Sequence, residues 1–362
     1  MTSNTFKIAV MPGDGIGIEV MDACLVVLEA VTKKLGGPGL DLQHVPGGAA
    51  YYRDHGTDLP EESFESARQA DAILFGAMGL PDVRKTDGTE INPQLDLRFG
   101  LELYAGVRPV RVLPGAPTPL ADPRAKDIDL VLIRENTEGL FADIRKPRTD
   151  NGIEAEDRCL ITRKGPERVF NYAFELARTR SRTRTDARRV TCVDKANVLH
   201  SMAFFRAIFD EVKTRHADIK TDYAYVDAMA LNLVKRPWDY DVMVMENLLG
   251  DILSDLTAGI VGGLGMAPSG DIGDKHGLFQ PSHGSAPDIA GQGLANPVAM
   301  FLSASMMLTW LGVQNGEAKS VEAGALLEDA VAKAFADGNV QPSEFGGAHG
   351  TRDITNAVLS KI

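Results

Sequence analysis

Lys7-Ile8-Ala9-Val10-Met11-Pro12-Gly13-Asp14-Gly15-Ile16-Gly17-Ile18 runs an apolar segment of strand length straight into a glycine-rich turn. A G-x-G-x-x-G dinucleotide fingerprint started at Gly13 needs glycine at position 18, where Ile18 stands. The glycines therefore read as a tight strand-to-helix turn, made where the chain must reverse sharply without a Cβ, and not as a Rossmann phosphate loop. Outward from this segment the rhythm repeats. Short runs rich in Val, Ile and Leu at 71–75, 128–133, 190–193 and 242–245 alternate with stretches of helical period. That alternation predicts an α/β fold with a largely parallel sheet covered by helices, and chemistry in the turns beyond the carboxyl ends of the strands.

With 362 residues, 44% of them hydrophobic, the chain can bury a large core and form two domains. Its formal charge of -12 repels nucleic acid and anionic membranes, so neither is expected as a partner, and an acidic substrate must be met by locally concentrated arginine and lysine. Cys24, Cys159 and Cys192 are scattered and form no CxxC pair, which points to a reducing compartment. Residues 1–10 lack the basic and apolar regions of a secretory signal, and no apolar run is long enough to span a bilayer; the expected location is cytoplasmic. Arg178, Arg180, Arg182, Arg184, Arg188 and Arg189 read as a solvated stretch after a helix around 169–177, with cations at its C-terminal end. The acidic background argues against a nucleic-acid patch. Residues 151–161 read as short strands between polar turns, an arm that could pair with another subunit.

Four constellations carry chemistry. After the strand 241–245 and an expected turn at 247–250 come Asp251 and Asp255, four residues apart on one helical face. Like charges so placed oppose each other by roughly 0.2–0.5 kcal/mol, a sign that a divalent cation with a preference for hard oxygen ligands reverses; a solvated acidic face is the alternative. Asp227 lies in an apolar context, where an unpaired charge is costly. Lys195, in Asp194-Lys195-Ala196-Asn197 at a strand end, has the placement of a base, or of a surface lysine paired with Asp194. Arg98, Arg108 and Arg134 are expected at strand ends, where converging guanidiniums suit a di- or tricarboxylate; singly, each would be a surface ion pair. The loop His283-Gly284-Ser285-Ala286-Pro287-Asp288-Ile289 could hold an adenosine or be structural, and Asp288 there would accept from a ribose 2'-hydroxyl and repel a 2'-phosphate.

In combination these motifs closely resemble the β-decarboxylating dehydrogenases, the family of isopropylmalate, isocitrate, D-malate and tartrate dehydrogenases. The resemblance runs from the Gly13 turn to beyond Asn296 and includes Arg134-Glu135-Asn136-Thr137-Glu138-Gly139 and Asn247-Leu248-Leu249-Gly250-Asp251-Ile252-Leu253-Ser254-Asp255. It implies an isopropylmalate-dehydrogenase-like, non-Rossmann fold of two domains, with 1–103 and 262–362 forming a nucleotide-binding domain and 104–261 a dimerisation and metal-binding domain. It also implies an intersubunit β arm and a homodimer with shared active sites. By the same resemblance Asp251 and Asp255, with Asp227 from the partner, hold Mg2+ or Mn2+, and Lys195 from the partner is the base. Arg98, Arg108 and Arg134, preceded by Gln94 and Leu95, form the substrate site. His283, Gly284, Ser285, Ala286, Asp288, Ile289 and Asn296, with Asn197, form the dinucleotide site; Asp288-Ile289 matches NAD users, where NADP users carry Lys and Tyr.

The chain also departs from the family. Phe141 stands seven residues after Arg134, where a tyrosine is usual and is thought to protonate the enolate carbon; phenylalanine donates no proton. Gln94 makes the substrate wall more polar than the leucines of isopropylmalate enzymes, and residues 108–115 look more like the tartrate and D-malate branch. The expected substrate is a malate-type 2-hydroxy acid such as D-malate, tartrate or a 3-substituted malate, with 3-isopropylmalate of leucine biosynthesis as the alternative. Gln280 replaces a glutamate of many relatives, which predicts altered contacts on the nicotinamide side. A non-catalytic regulatory paralogue is a further alternative, opposed by the retained Lys195, Asp227, Asp251, Asp255 and arginines.

Overall fold

The structure, a computed structural model, describes residues 5–144, 146, 152–180 and 188–362. Asn151 of the expected arm and Arg182 and Arg184 of the arginine run lie outside the described residues. In chain order the elements are β1 (Thr5–Gly13), α1 (Ile16–Leu35), β2 (Gly39–His44), α2 (Ala49–His55), α3 (Glu61–Gln69), β3 (Ala72–Ala77), α4 (Pro93–Gly100), β4 (Ala105–Arg111), β5 (Asp129–Glu135), α5 (Lys164–Thr179) and β6 (Arg189–Asp194). They continue with α6 (His200–Lys213), β7 (Lys220–Tyr225), α7 (Val226–Lys235), β8 (Val242–Met245), α8 (Asn247–Ile260), β9 (Pro268–Ile272), β10 (Gly277–Pro281), α9 (Val298–Asn315), α10 (Ala318–Ala336) and α11 (Thr351–Leu359). Two compact units result, one of Met1–Leu103, Val112–Pro119 and Val261–Ile362, the other of Tyr104–Arg111 and Leu120–Ile260.

In the first unit the strand order is β2-β1-β3-β10-β9, parallel except for β9, which runs antiparallel to β10. Ile8, Ala9, Val10 and Met11 are all buried, as a strand covered on both faces requires. Helix α1 buries Val20, Met21, Cys24, Val27, Leu28 and Val31, one stripe at helical spacing, and stops at Gly36 in the left-handed conformation.

The opening turn is a junction. The buried Asp14 carboxylate accepts from the backbone N–H groups of Ala49 at 2.7 Å, Ala50 at 2.8 Å and Gly79 at 2.9 Å. Ile16 N–H donates to the Ser285 carbonyl at 2.8 Å, and the Ser285 hydroxyl donates to the Gly79 carbonyl. Gly15 has φ 56°, and a Cβ there would collide with the Ser285 carbonyl oxygen. The glycines thus serve both the reversal and the close approach of a distant loop.

In the second unit the order is β4-β5-β8-β6-β7. β4 is antiparallel to β5 and the other pairs are parallel. Phe170 of α5 meets Phe205 and Phe209 of α6 edge-on, at centroid distances of 4.6 and 5.1 Å, which fastens this pair of helices.

Three local expectations are corrected. Residues 247–250 are not a turn before the helix but its first turn. The Glu246 carboxylate accepts from Leu248 N–H at 3.1 Å and Leu249 N–H at 3.3 Å, so α8 starts directly at the end of β8. The described part of the expected arm carries isolated bridges instead of strands, one of them between Gly139 and Leu160. The helix around 169–177 extends over Lys164–Thr179, and at its end Arg178 pairs with Asp218 and Arg180 with Asp129. Among the described residues no helix is long and apolar enough to cross a membrane.

Gly15→Ala is expected to destabilise the protein by about 1–3 kcal/mol through backbone strain and displacement of Ser285. Thermal melting of the variant beside the wild type measures this; an unchanged melting temperature would contradict the junction described for the turn.

Candidate active site

Arg134, near the end of β5 and 3% exposed, donates from Nε to Asn247 Oδ1 at 2.8 Å, and its NH1 pairs with Asp251. Asn247 in turn donates from Nδ2 to the Glu138 carbonyl at 3.0 Å. A Cβ on Gly250 would stand 2.7 Å from the Arg134 side chain, so α8 packs this closely on β5 only because that residue is glycine. The Phe141 ring lies 5.3 Å from the Arg134 guanidinium carbon, within cation–π range. Arg108 is buried on β4; Gly106 registers with Arg134 and Arg108 with Leu132, which puts both arginines on one face of the sheet.

Asp251 and Asp255 project from α8 toward this pair. Burial, and then the neighbouring Asp251 charge, hold the Asp255 carboxyl above the usual carboxylate range, while Arg108 and Arg134 pull it down. The expected like-charge opposition is therefore present. Two carboxylates one helical turn apart are a donor set that fits magnesium or manganese. Among the described residues, however, no three His, Cys, Asp or Glu side chains gather as one metal-binding group.

Asp227 is where the sequence expectation fails. Its side chain is 68% exposed at the start of α7 and is no unpaired charge in an apolar site; it pairs with Lys195 Nζ at 2.5 Å, which holds its carboxyl below the usual range. Lys195 accordingly does not pair with Asp194. The fully buried Asp194 instead takes a two-pronged contact from Arg206, 2.7 Å at each nitrogen, and accepts from Ala196 N–H at 2.8 Å, which shapes the turn that presents Lys195. Asn197 is exposed in that turn. One chain thus joins Lys195 to Asp227, and Arg108 and Arg134 to Asp251 and Asp255.

The strand-end expectation for the arginines holds only for Arg134. Arg108 sits within β4, and Arg98 lies on α4, where its Nε donates to the buried Asp271 at 2.8 Å. One turn earlier on α4 stand Gln94 and Leu95. Gln94 donates to Asn92 Oδ1 at 3.2 Å, while its own Oε1 is buried without a hydrogen-bond partner among the described residues. Gln280, expected on the nicotinamide side, is buried on β10 and spends its amide N–H on Asp271 at 3.0 Å.

In the first unit His283 Nδ1 lies 2.9 Å from the Gly284 carbonyl, which only accepts, so Nδ1 carries the proton and Nε2 is left as a buried acceptor without a partner among the described residues. Burial holds the imidazole below its usual range and favours the neutral ring. Ser285 and Ala286 follow, with Ala286 at φ 34°, and the loop exposes Gly284 and Asp288 while Ile289 is half-buried. Asn296 donates to Glu344 at 2.6 Å. Glu19 of α1 accepts from Gly291 N–H and Ala295 N–H, both at 3.1 Å, and from the Thr351 hydroxyl. Asn247 was read only as the start of a turn and a motif, without a role; Glu19, Glu344 and Asp271 escaped the sequence reading. Each meets partners far along the chain and belongs to no short-range pattern; the acid Glu19 in a first helical turn was the one visible signal.

Residues 7–358 match the model of the isocitrate/isopropylmalate dehydrogenase family. The chain is 42% identical to the 3-isopropylmalate/3-methylmalate dehydrogenase of Methanocaldococcus jannaschii, with 98% of each chain covered. It is 36% identical to the "Probable tartrate dehydrogenase/decarboxylase" of Bacillus subtilis, covering 100% of this chain and 99% of the relative. Among solved structures, isocitrate dehydrogenase from Methylococcus capsulatus superposes with a TM-score of 0.84 at 35% identity, over 98% of this chain and 99% of that one.

Glu135, which closes β5, provides a pH signature. Burial pushes its carboxyl up from the ordinary 4.5 to about 7, against the pull of Thr137 and Glu138 donors. The folded state then binds the proton more tightly than the unfolded chain does. Its contribution to stability is full below pH 4.5 and falls as pH rises to about 7, by about 3 kcal/mol at most. Glu135→Gln is expected to flatten this slope in urea unfolding at several pH values, and parallel profiles for the two proteins would refute the assignment.

Proposed function

Because the chain belongs to the isocitrate/isopropylmalate dehydrogenase family, whose members are β-decarboxylating hydroxy-acid dehydrogenases, we propose that it oxidises a malate-type 2-hydroxy acid with a small or polar C3 substituent, such as D-malate or tartrate, using NAD and a divalent metal. The observation that carries the choice of substrate is Gln94. Its buried, unpartnered Oε1 lies one helical turn from Arg98, where a substrate hydroxyl can satisfy it and an isopropyl group cannot.

Arg98, Arg108 and Arg134 hold the substrate carboxylates through paired N–H donors. Asp251 and Asp255, with the partner subunit's Asp227, would hold Mg2+ or Mn2+, which when bound supplies Lewis acidity toward the hydroxyl and ketone oxygens. Lys195 of the partner subunit, in its neutral form, takes the hydroxyl proton. The loop His283–Ile289 and Asn296 would hold the adenosine half of NAD, which when bound supplies an acceptor for the C2 hydride; Asp288 favours a free ribose 2'-hydroxyl over a phosphate. The resulting ketone is β to a carboxylate, which leaves as carbon dioxide. Phe141 rests on the Arg134 guanidinium and has no proton to give the enolate, so the carbon is protonated from water.

Oxidation of 3-isopropylmalate is the second reading. The activity named for the 42% identical relative and the presence of Leu95 beside Gln94 favour it.

A panel of D-malate, tartrate isomers, 3-isopropylmalate and isocitrate, supplied with NAD and manganese and followed by NADH and carbon dioxide, separates the readings. D-malate or tartrate is expected to lead, and Gln94→Leu to shift kcat/KM toward 3-isopropylmalate by about tenfold or more. Turnover of 3-isopropylmalate alone, unaffected by that substitution, would sink the choice.

Phe141→Tyr is expected to raise the carbon dioxide released per NADH on the preferred substrate, since it restores an O–H donor beside Arg134. An unchanged ratio would show that protonation does not pass through this position.

A further inference from the structure

The buried partners of Arg98 account for an amide at 280. Asp271 is 0% exposed, Arg98 6% and Gln280 7%, and one oxygen, Asp271 Oδ2, accepts from both Arg98 Nε at 2.8 Å and Gln280 Nε2 at 3.0 Å. Asp271 on β9 and Gln280 on β10 lie on the same face of the antiparallel pair, since Leu278 registers with Asp271 and Gln280 with Ser269. A glutamate at 280 would bring a second carboxylate to a distance of about 3 Å from the first, where each charge disfavours the other. A neutral amide avoids this and also supplies a donor. With carboxylate and amide in place, the buried charges are paired and hydrogen-bonded, which is what a charge needs to persist out of water.

We infer that Asp271 is a positioning residue for the substrate arginine Arg98, with Gln280 as its neutral second donor. Asp271 engages the guanidinium only at Nε. No other hydrogen bond is made to the Arg98 side chain among the described residues, so its two terminal nitrogens remain for a planar, two-pronged grip on a carboxylate. An arginine held through Nε keeps this fork in one plane and loses less freedom on binding. The inference rests on the proposed role of Arg98 in binding the substrate.

The test measures binding of D-malate and of 3-isopropylmalate by calorimetry in the presence of manganese and NADH, in the wild type, Asp271→Asn, Gln280→Met and the exchange Asp271→Asn/Gln280→Glu. Both acids carry the two carboxylates, so the identity of the C3 group does not decide the result. Asp271→Asn is expected to bind the acid that the wild type binds about tenfold more weakly, a loss on the scale of one charge-assisted contact, with NAD affinity within about twofold of wild type. The exchange variant, which places the carboxylate on β10 instead, is expected to recover at least half of that loss on a logarithmic scale, which a merely destabilised fold would not do. Wild-type affinity in Asp271→Asn overturns the inference, as does an exchange variant no better than the single one with equal melting temperatures. Should Asp271→Asn fail to fold, Gln280→Met, which removes the second donor to Asp271, is expected to weaken binding about threefold, and unchanged affinity there overturns the inference. Binding of neither acid by the wild type would instead remove the dehydrogenase substrate reading, and the inference with it.

Discussion

A guanidinium withdrawn from water must be met by fixed oxygens, and the candidate site follows from that demand. The chain is acidic overall, yet it buries Arg98, Arg108 and Arg134. Arg98 is met by Asp271, and Arg134 by Asn247 and Asp251. These oxygens come from β9 and α8, so meeting the charges also fixes where those elements lie against α4 and β5. A buried ion pair gives little net stability and can cost some. What it gives here is direction: Arg98 and Arg134 are each held in one orientation, and the cationic charge of Arg108 and Arg134 is concentrated on one face of β4 and β5 in a protein whose wider field repels anions.

The same demand accounts for the division between Lys195 and the acidic pair of α8. Within one chain Lys195 neutralises Asp227, whereas Asp251 and Asp255 face Arg108 and Arg134. A lysine and an aspartate paired on an exposed turn are easily parted, because a surface ion pair contributes about 1 kcal/mol or less. The buried Asp194–Arg206 pair behind them keeps the turn itself in shape.

Much of this was legible in the sequence because it depends on short-range pattern. The apolar runs at 190–193 and 242–245 fall within β6 and on β8, and the four-residue spacing of Asp251 and Asp255 does place them on one helix face. The glycine-rich segment after β1 was read correctly as a reversal, but not as a docking point for Ser285, which lies some 270 positions away in the chain. Asp227 was misjudged because apolar neighbours in sequence do not imply burial at the first turn of a helix. The start of α8 was placed late because a glutamate, Glu246, does the capping from the last position before the helix. Asp271 carries no sequence signal at all, being one acid on a short strand whose partner is 173 residues distant.

The way the loop at 283–296 is fastened has a consequence for how such a protein changes over time. Its anchors are Ser285, Gly291 and Ala295, tied from behind by the turn after β1, by Gly79 and by Glu19. The Asp288 side chain takes no part in that fastening and points into solvent. Frame and outward-facing chemistry are therefore built from different residues of the same segment. Selection can change the exposed side chain at this position by exchanging one or two codons while the scaffold beneath stays in register, so novelty here is cheap and its failures stay local.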